Sequence, residues 1–223
     1  MALDNQSPEL FGQTPSQTVG PFFHYGLPWK GGADLIGASD IGARPELTPD
    51  EHYLLKQPTA RGAVGGQPIE ILGQVFDANG APVPDALIEI WQANAAGRYN
   101  SPDDARTDLA LDEAFIGFGR SSTAEDGTFR FRTVLPGRAP GPGNSLQAPH
   151  IAVGVMGRGL LKRLVTRIYF EDGEGNDQDP ILALVPPERR ATLIAARSAE
   201  APTTTYRFDI HLQGEHETVF FDC

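Results

Sequence analysis

The chain has one cysteine in 223 residues, Cys223, so no disulfide can form within it. That economy suits a reducing compartment. Basic residues are also scarce: 18 Lys and Arg stand against 29 Asp and Glu, a formal net charge of −11. Binding phosphates requires a concentrated basic face, and here the few cations are scattered, which disfavours a nucleic-acid surface. No run approaches the ~20 apolar residues of a membrane helix. The opening MALDNQSPEL has neither a positive n-region nor an apolar h-region, so a secretory signal is not expected and a cytoplasmic protein is.

What is present is a globular composition, 40% hydrophobic and 21% charged, at a length that favours one domain with arms over two domains. Residues 1–68 are rich in Gly and Pro and show little periodicity, so they are expected to form an irregular arm that packs on a partner surface. Within it, TPSQTVGPFFHYGLPW carries Phe22, Phe23, Tyr25 and Trp29, too much apolar surface to leave in water. TPDEHYLL, 48–55, reads as a short helix with Thr48 as N-cap, Pro49 at N1 and Glu51 at N3.

From 69 to 223 the punctuation is that of an all-β domain. Strands are expected at 69–76, 86–92, 115–121, 128–133, 149–156, 163–170 and 205–212, with a short last one at 217–221. Asp126-Gly127, Pro136-Gly137 and Asp172-Gly173 are turn signals between them. Seven or more short strands without alternating helices predict a β-sandwich of mostly antiparallel strands, with an irregular N-terminal arm and one or two short helices. The second helix is placed at 186–197, PPERRATLIAAR. In 69–76 the residues Ile69, Ile71, Gly73 and Val75 share one face, as a period of two requires. Asp77-Ala78-Asn79-Gly80 ends that run, Pro82 and Pro84 follow, and Leu87, Ile88, Ile90 and Trp91 start another, which on pattern alone is a hairpin. Arg120 with Glu89, and Arg132 with Glu70, are candidate cross-strand contacts.

The second run ends in WQANAAGRY, 91–99, an unusual string. With VPDALIEI before it, FGR at 118–120, DGTFRFRTVLPG at 126–137, APHI at 148–151, TRIYFED at 166–172 and YRFDIHLQGEHETVFFD at 206–222, it resembles the intradiol ring-cleaving dioxygenases over most of the chain. The resemblance implies a sandwich and, in catalytic members, a non-haem ferric ion held by two Tyr and two His. Matched position by position, His150 occupies the first histidine place of the family's His-x-His. Ala152 stands at the second, Ala139 at the Tyr after Pro-Gly, and about Thr107 at the loop Tyr; no tyrosine occurs between Tyr99 and Tyr169. Gln147 replaces an Arg three residues before the first His. A lone imidazole cannot hold ferric iron against hydrolysis, so no metal is expected in this chain and His150 is a vestigial ligand position.

The resemblance is therefore to the iron-free α chain that some members pair with an iron-bearing β chain in a hetero-oligomer. It implies Fe(III) in that β chain, protocatechuate and O2 as substrates, no catalytic residue in this chain alone, and a pocket shared between the two chains. Its matching substrate-binding positions are Thr18, Gly20 and Pro21 in the arm and Arg158 in MGRG. A guanidinium suits a carboxylate-bearing catechol, and Gly20 and Pro21 suit a flat ring. A solvated surface arginine is the plainer account of Arg158. A β-sandwich binding module with no part in ring cleavage is the alternative reading of the whole chain. His211 and His216 are a poor ligand pair at their spacing, and DGEGNDQD, 172–179, reads as a solvated acidic turn and not a calcium loop.

Overall fold

The computed structural model describes residues 32–37, 39, 41, 62–199 and 203–222. The helix expected at 48–55 lies outside them. The described residues are built on nine strands: β1 (Pro68–Phe76), β2 (Leu87–Trp91), β3 (Phe118–Ser122), β4 (Thr128–Val134), β5 (His150–Met156), β6 (Leu164–Phe170), β7 (Ile194–Ser198), β8 (Thr205–Arg207) and β9 (Ile210–His211).

One layer runs β3-β2-β5-β6 and the other β8-β1-β4, with β9 also on β1. β7 joins them, pairing parallel with β6 through Ile194 and Ala195 and antiparallel with β8 through Ala196 to Ser198. The sheet thus curls nearly closed, and its longer pairings are antiparallel, as the sandwich expectation has it. Ile69, Ile71 and Val75 from one layer and Ile88, Ile90, Ile151, Val153, Val155 and Ile168 from the other fill the space between, with Phe129, Phe131 and Phe170. Alternation in β1 puts every second residue into that core.

The expected hairpin does not form. The turn is there: Asp77 Oδ1 accepts from the amides of Asn79 at 2.8 Å and Ala81 at 2.9 Å, and Gly80 takes φ 75°. After it, Pro82 and Pro84 lack amide donors and Asp85 adopts φ 61°, so the chain leaves β1 and crosses to the opposite layer. There β2 pairs with β3 and β5, and its first four residues are all buried, as befits an interior strand.

The open side between β3 and β4 is closed from within this chain. Residues 32–35 lay a short segment along both edges: Arg120 N donates to Gly32 O, Leu35 N to Arg132 O and Arg132 N to Ala33 O, each at 2.8 Å. Ala33 and Leu35 are fully buried there. This explains why Glu70 and Arg132, directly opposite in the β1–β4 register, do not make the expected pair. Arg132 reaches Asp34 at 3.7 Å, while Glu70 receives two hydrogen bonds of 2.7 Å from Arg130. The pair Arg120–Glu89 does form, at 2.6 Å.

Two further expectations are corrected. Residues 186–197 are not one helix: a 3-10 stretch spans Pro187–Leu193, and Ile194 onward is β7. Good helix formers are overridden here because the two layers need a connecting strand. The strand expected at 205–212 is split at Phe208 and Asp209, where Asp209 Oδ1 accepts the Gln74 amide at 3.0 Å in place of a backbone carbonyl. In 217–221 there is only an isolated bridge from Phe221 to Val165.

Gly73 marks the tightest of these crossings. A Cβ at this position would lie 2.0 Å from the Phe208 carbonyl oxygen and 2.4 Å from the Phe129 ring. Gly73→Ala should therefore cost about 2–3 kcal/mol or more in urea denaturation. Gly80→Ala, where an added Cβ meets nothing but φ is positive, should cost only about 1 kcal/mol. Equal costs at the two positions would contradict the packing described for β1.

Candidate functional site

Because β2, β5 and β6 alternate, the residues not facing the core form an outer face. Trp91, Ala152 and Arg167 lie in one cross-strand row of it, and His150 with Tyr169 in the next. Two loops roof this face, 92–117 and 135–149, and the string WQANAAGRY is what fixes them. Gln92 is buried and ties the layers together: its Nε2 donates to Val134 O at 2.9 Å and its Oε1 accepts from Thr133 Oγ1 at 2.8 Å. Asn94 Oδ1 accepts from the amides of Ala96 at 2.9 Å and Arg98 at 3.0 Å, and Nδ2 donates to Ala110 O at 3.0 Å. Its own carbonyl takes the amides of Gly97 and Gly137, both at 2.9 Å. One asparagine thus holds both loops.

Gly97 is required where they touch. Its φ is 84°, and a Cβ would sit 2.0 Å from Arg138 O. Beyond it Tyr99 stacks on Trp91, with ring centroids 5.7 Å apart and planes 18° apart. Asp104 then anchors the loop. It accepts the Tyr99 amide at 2.8 Å and two bonds from Arg106, at 2.7 and 2.6 Å. The Arg106 guanidinium holds the Asp104 carboxyl well below the usual carboxylate range. Between loop and sheet lies a cavity of about 730 Å³ lined by Trp91, Tyr99, Ser101, Asp103, Asp104, Ala105, Arg106 and Pro140.

Under the second loop is a buried polar cluster. Asp179 is fully buried, and it accepts from the Ala148 amide at 2.7 Å, the Tyr169 hydroxyl at 3.0 Å, and the amides of Ile181 and Leu182 at 2.9 and 2.8 Å. The acidic turn expected at 172–179 is solvated at Asp172 and Asp177 but ends in this hub. Arg167 Nη1 donates to Gln147 Oε1 at 2.5 Å and more weakly to the Tyr169 hydroxyl at 3.4 Å. Burial pushes the Tyr169 phenol far above its ordinary value, so it stays protonated. His150 is buried with its Nδ1 2.8 Å from Ala148 O, and burial, assisted by the nearby Arg167 charge, lowers its pKa.

The vestigial ligand positions can now be tested against a metal. His150 sits on the outer face, beside Tyr169 at 5.8 Å between ring centroids. Ala152, next in line on the same face, offers a methyl group; Ala139 is buried and equally without a donor; Thr107 is exposed on the first loop. Of the phenols beside this row, Tyr99 stacks on Trp91 and Tyr169 is a protonated donor to Asp179. Arg167 brings a fixed cation against the same cluster. These residues do not fit a ferric ion, which needs several anionic or imidazole donors. Among the described residues no group of three His, Cys, Asp or Glu side chains could hold a metal. Sequence reading missed Arg167 and Asp179, although the β5–β6 alternation places Arg167 beside Ala152.

Arg158 lies at the other end of β5, on an exposed loop tip with Gly159 at φ 85°, 3.5 Å from Asp85. Six residues of strand separate it from His150, about 20 Å. Thr18, Gly20 and Pro21 lie outside the described residues, as do His24, His52 and Cys223. His211 stacks on Phe76 at 4.9 Å and meets His216 edge-on at 6.0 Å, a packing arrangement. No helix among the described residues is long and apolar enough to cross a membrane.

Comparison with known proteins agrees with this geometry. A family model described as "Dioxygenase" matches residues 43–214. The chain is 44% identical to the protocatechuate 3,4-dioxygenase alpha chain of Burkholderia cepacia over 94% of this chain and 97% of that one. It is 37% identical to the beta chain from the same organism, over 83% of this chain and 79% of that one. Among solved structures, the dioxygenase domain of a dioxygenase carbohydrate-binding protein fusion from Streptomyces sp. SirexAA-E matches with a TM-score of 0.53 at 25% identity, covering 90% of this chain and 98% of that one. The chain belongs to the intradiol ring-cleaving dioxygenase family.

Asp179 should be the most sensitive side chain of the site. Asp179→Ala leaves a buried phenol and three amides without their acceptor and is expected to cost about 3 kcal/mol or more in urea denaturation. Asp179→Asn keeps one carbonyl oxygen and should cost distinctly less. Two equal, small losses would show that the hub is not holding the second loop.

Proposed function

We propose that this chain is the iron-free α subunit of a heteromeric protocatechuate 3,4-dioxygenase. In this reading its partner is an iron-bearing β chain that holds Fe(III), and the two together cleave protocatechuate between its hydroxyls to 3-carboxy-cis,cis-muconate in the cytoplasm. The observation that carries the reading is the combination of near full-length similarity to an alpha chain with side chains at 107, 139 and 152 that cannot ligate iron. The similarity to a beta chain of the same enzyme supports a partner built on the same sandwich.

Two parts of the chain serve the partner's pocket. The arm, 1–68, packs on the β chain and brings Thr18, Gly20 and Pro21 to the substrate. Its aromatic stretch from Phe22 to Trp29 supplies the apolar surface for docking. Residues 32–35 anchor the arm on its own sandwich. Arg158 faces the substrate carboxylate across the interface. Its position supports this: the side chain is 57% exposed, and its pairing with Asp85 at 3.5 Å is loose enough to be exchanged for a carboxylate held in a drier place.

Purified by itself, the chain should contain no iron and take up no oxygen with protocatechuate. Co-purified with an iron-bearing β chain, it should give a complex that does both. Ferric iron and turnover in the isolated chain would overturn the proposal. In the active complex, Arg158→Ala should raise KM for protocatechuate about tenfold or more, the worth of one charge-assisted hydrogen bond. KM for catechol, which lacks the carboxylate, should change little. Equal effects on both substrates would reject a carboxylate role for Arg158.

A further inference from the structure

Away from the outer face of β2, β5 and β6, the other layer carries a cavity of about 280 Å³ whose lining includes Arg207, Asp209, His211, His216 and Thr218. Alternation places three of these. Tyr206, Phe208 and Ile210 are buried in the core, so Arg207, Asp209 and His211 project outward together, across the break between β8 and β9. The segment that follows is laced back to the same strand: Thr218 N donates to His211 O at 2.9 Å, and His211 N donates to Thr218 Oγ1 at 3.0 Å. This brings His216 edge-on to His211, whose ring is held by stacking on Phe76. Val219 N donates to Thr192 Oγ1 at 3.2 Å and ties the wall to the 3-10 stretch.

The donors of this cavity are left over once the fold is satisfied. Asp209, its one carboxylate, is engaged on both oxygens: Oδ1 accepts the Gln74 amide at 3.0 Å and Oδ2 accepts Arg207 Nε at 2.9 Å. Arg207 Nη1 and Nη2 make no hydrogen bond among the described residues, and neither do the ring nitrogens of His211 and His216. Thr218 Oγ1 accepts from His211 N and has its own proton to give. Glu217, beside His216 in sequence, is not in the lining and lies 4.0 Å from Arg189. We infer that this cavity binds a small tetrahedral oxyanion of the phosphate type, held by the terminal nitrogens of Arg207, by His211 and His216 and by the Thr218 hydroxyl. A guanidinium fixed at Nε by a carboxylate is oriented, and its terminal pair forms a fork for oxyanions. An imidazole donates an N–H whether or not it is charged. A tetrahedral ion presents oxygens to donors arriving from several sides, where a planar carboxylate presents two. The volume exceeds that of the bare ion, so a free phosphate and the end of a phosphomonoester are its two sources. The site stands on this chain alone and does not rest on the partner assignment.

Equilibrium dialysis of radiolabelled inorganic phosphate against the full chain, at fixed ionic strength, tests it. The chain should bind one ion per copy, sulfate should displace it, and acetate should compete about tenfold more weakly or less. Arg207→Gln should weaken binding about tenfold or more, and so should His211→Phe, which keeps a ring against Phe76 while removing the nitrogens. Circular dichroism establishes that each variant is folded. Arg197→Gln removes a like charge from the adjoining β7, outside the cavity lining, and should leave binding unchanged. Phenyl phosphate tells the two sources apart: binding as tight as that of phosphate assigns the end of an ester, and exclusion assigns the free ion. No saturable binding to the parent chain, acetate binding as tightly as phosphate, an equal loss in Arg197→Gln, or unchanged binding in folded Arg207→Gln would overturn the inference.

Discussion

Asn94 is the side chain on which the site depends. Its oxygen turns the chain through Ala96 and Arg98, its nitrogen fastens the far end of the same loop at Ala110, and its carbonyl holds Gly137 of the second loop. With Gln92 binding β2 to the opposite layer just before it, the loops are locked to the sandwich core. The amide groups of Gln92 and Asn94 are both satisfied within the fold, so the string from Trp91 to Tyr99 keeps its shape through its own hydrogen bonds. A family signature of this kind reports the roof over a site. The chemistry beneath the roof is set by other residues.

Those residues form one connected set. Where a ferric site needs phenolate and imidazole donors, this chain presents two alanines and a threonine, a phenol kept protonated by burial, and an arginine. The replacement is a coherent cluster in its own right. Asp179 gathers Tyr169 and three amides, Gln147 receives Arg167, and His150 stays neutral against the Ala148 carbonyl. Loss of a metal that had linked several side chains would otherwise leave buried polar groups unpaired, at a cost of about 1–3 kcal/mol each. Internal hydrogen bonding permits this part of the sandwich to remain rigid without a metal.

Much of this was legible in the sequence, and the exceptions have physical causes. Alternation in 69–76 gave the buried face of β1 because period-two burial is local. The turn at 77–81 was equally local, but whether the next strand pairs back or crosses to the other layer is decided by Asp85 and by which neighbours bury Ile88 and Ile90 on one side and Trp91 on the other. Residues 186–197 carry helix formers, yet Ile194 to Ser198 are needed as the strand that joins the layers. Arg130, not Arg132, takes Glu70 because a segment a hundred residues upstream in sequence supplies Asp34 to Arg132. That positions 107, 139 and 152 carry Thr, Ala and Ala is a matter of residue identity and was legible directly. The hub at Asp179 was not, since an aspartate in a Gly-rich acidic turn carries no local sign of burial.

Anomalous scattering at the iron absorption edge, from crystals of this chain assembled with an iron-bearing β chain, tests the central claim most directly. The account predicts one strong peak per pair, located within the β chain. It also predicts Arg167 guanidinium density next to Gln147 and Tyr169 on the outer face of this chain. An iron peak beside His150 would contradict it.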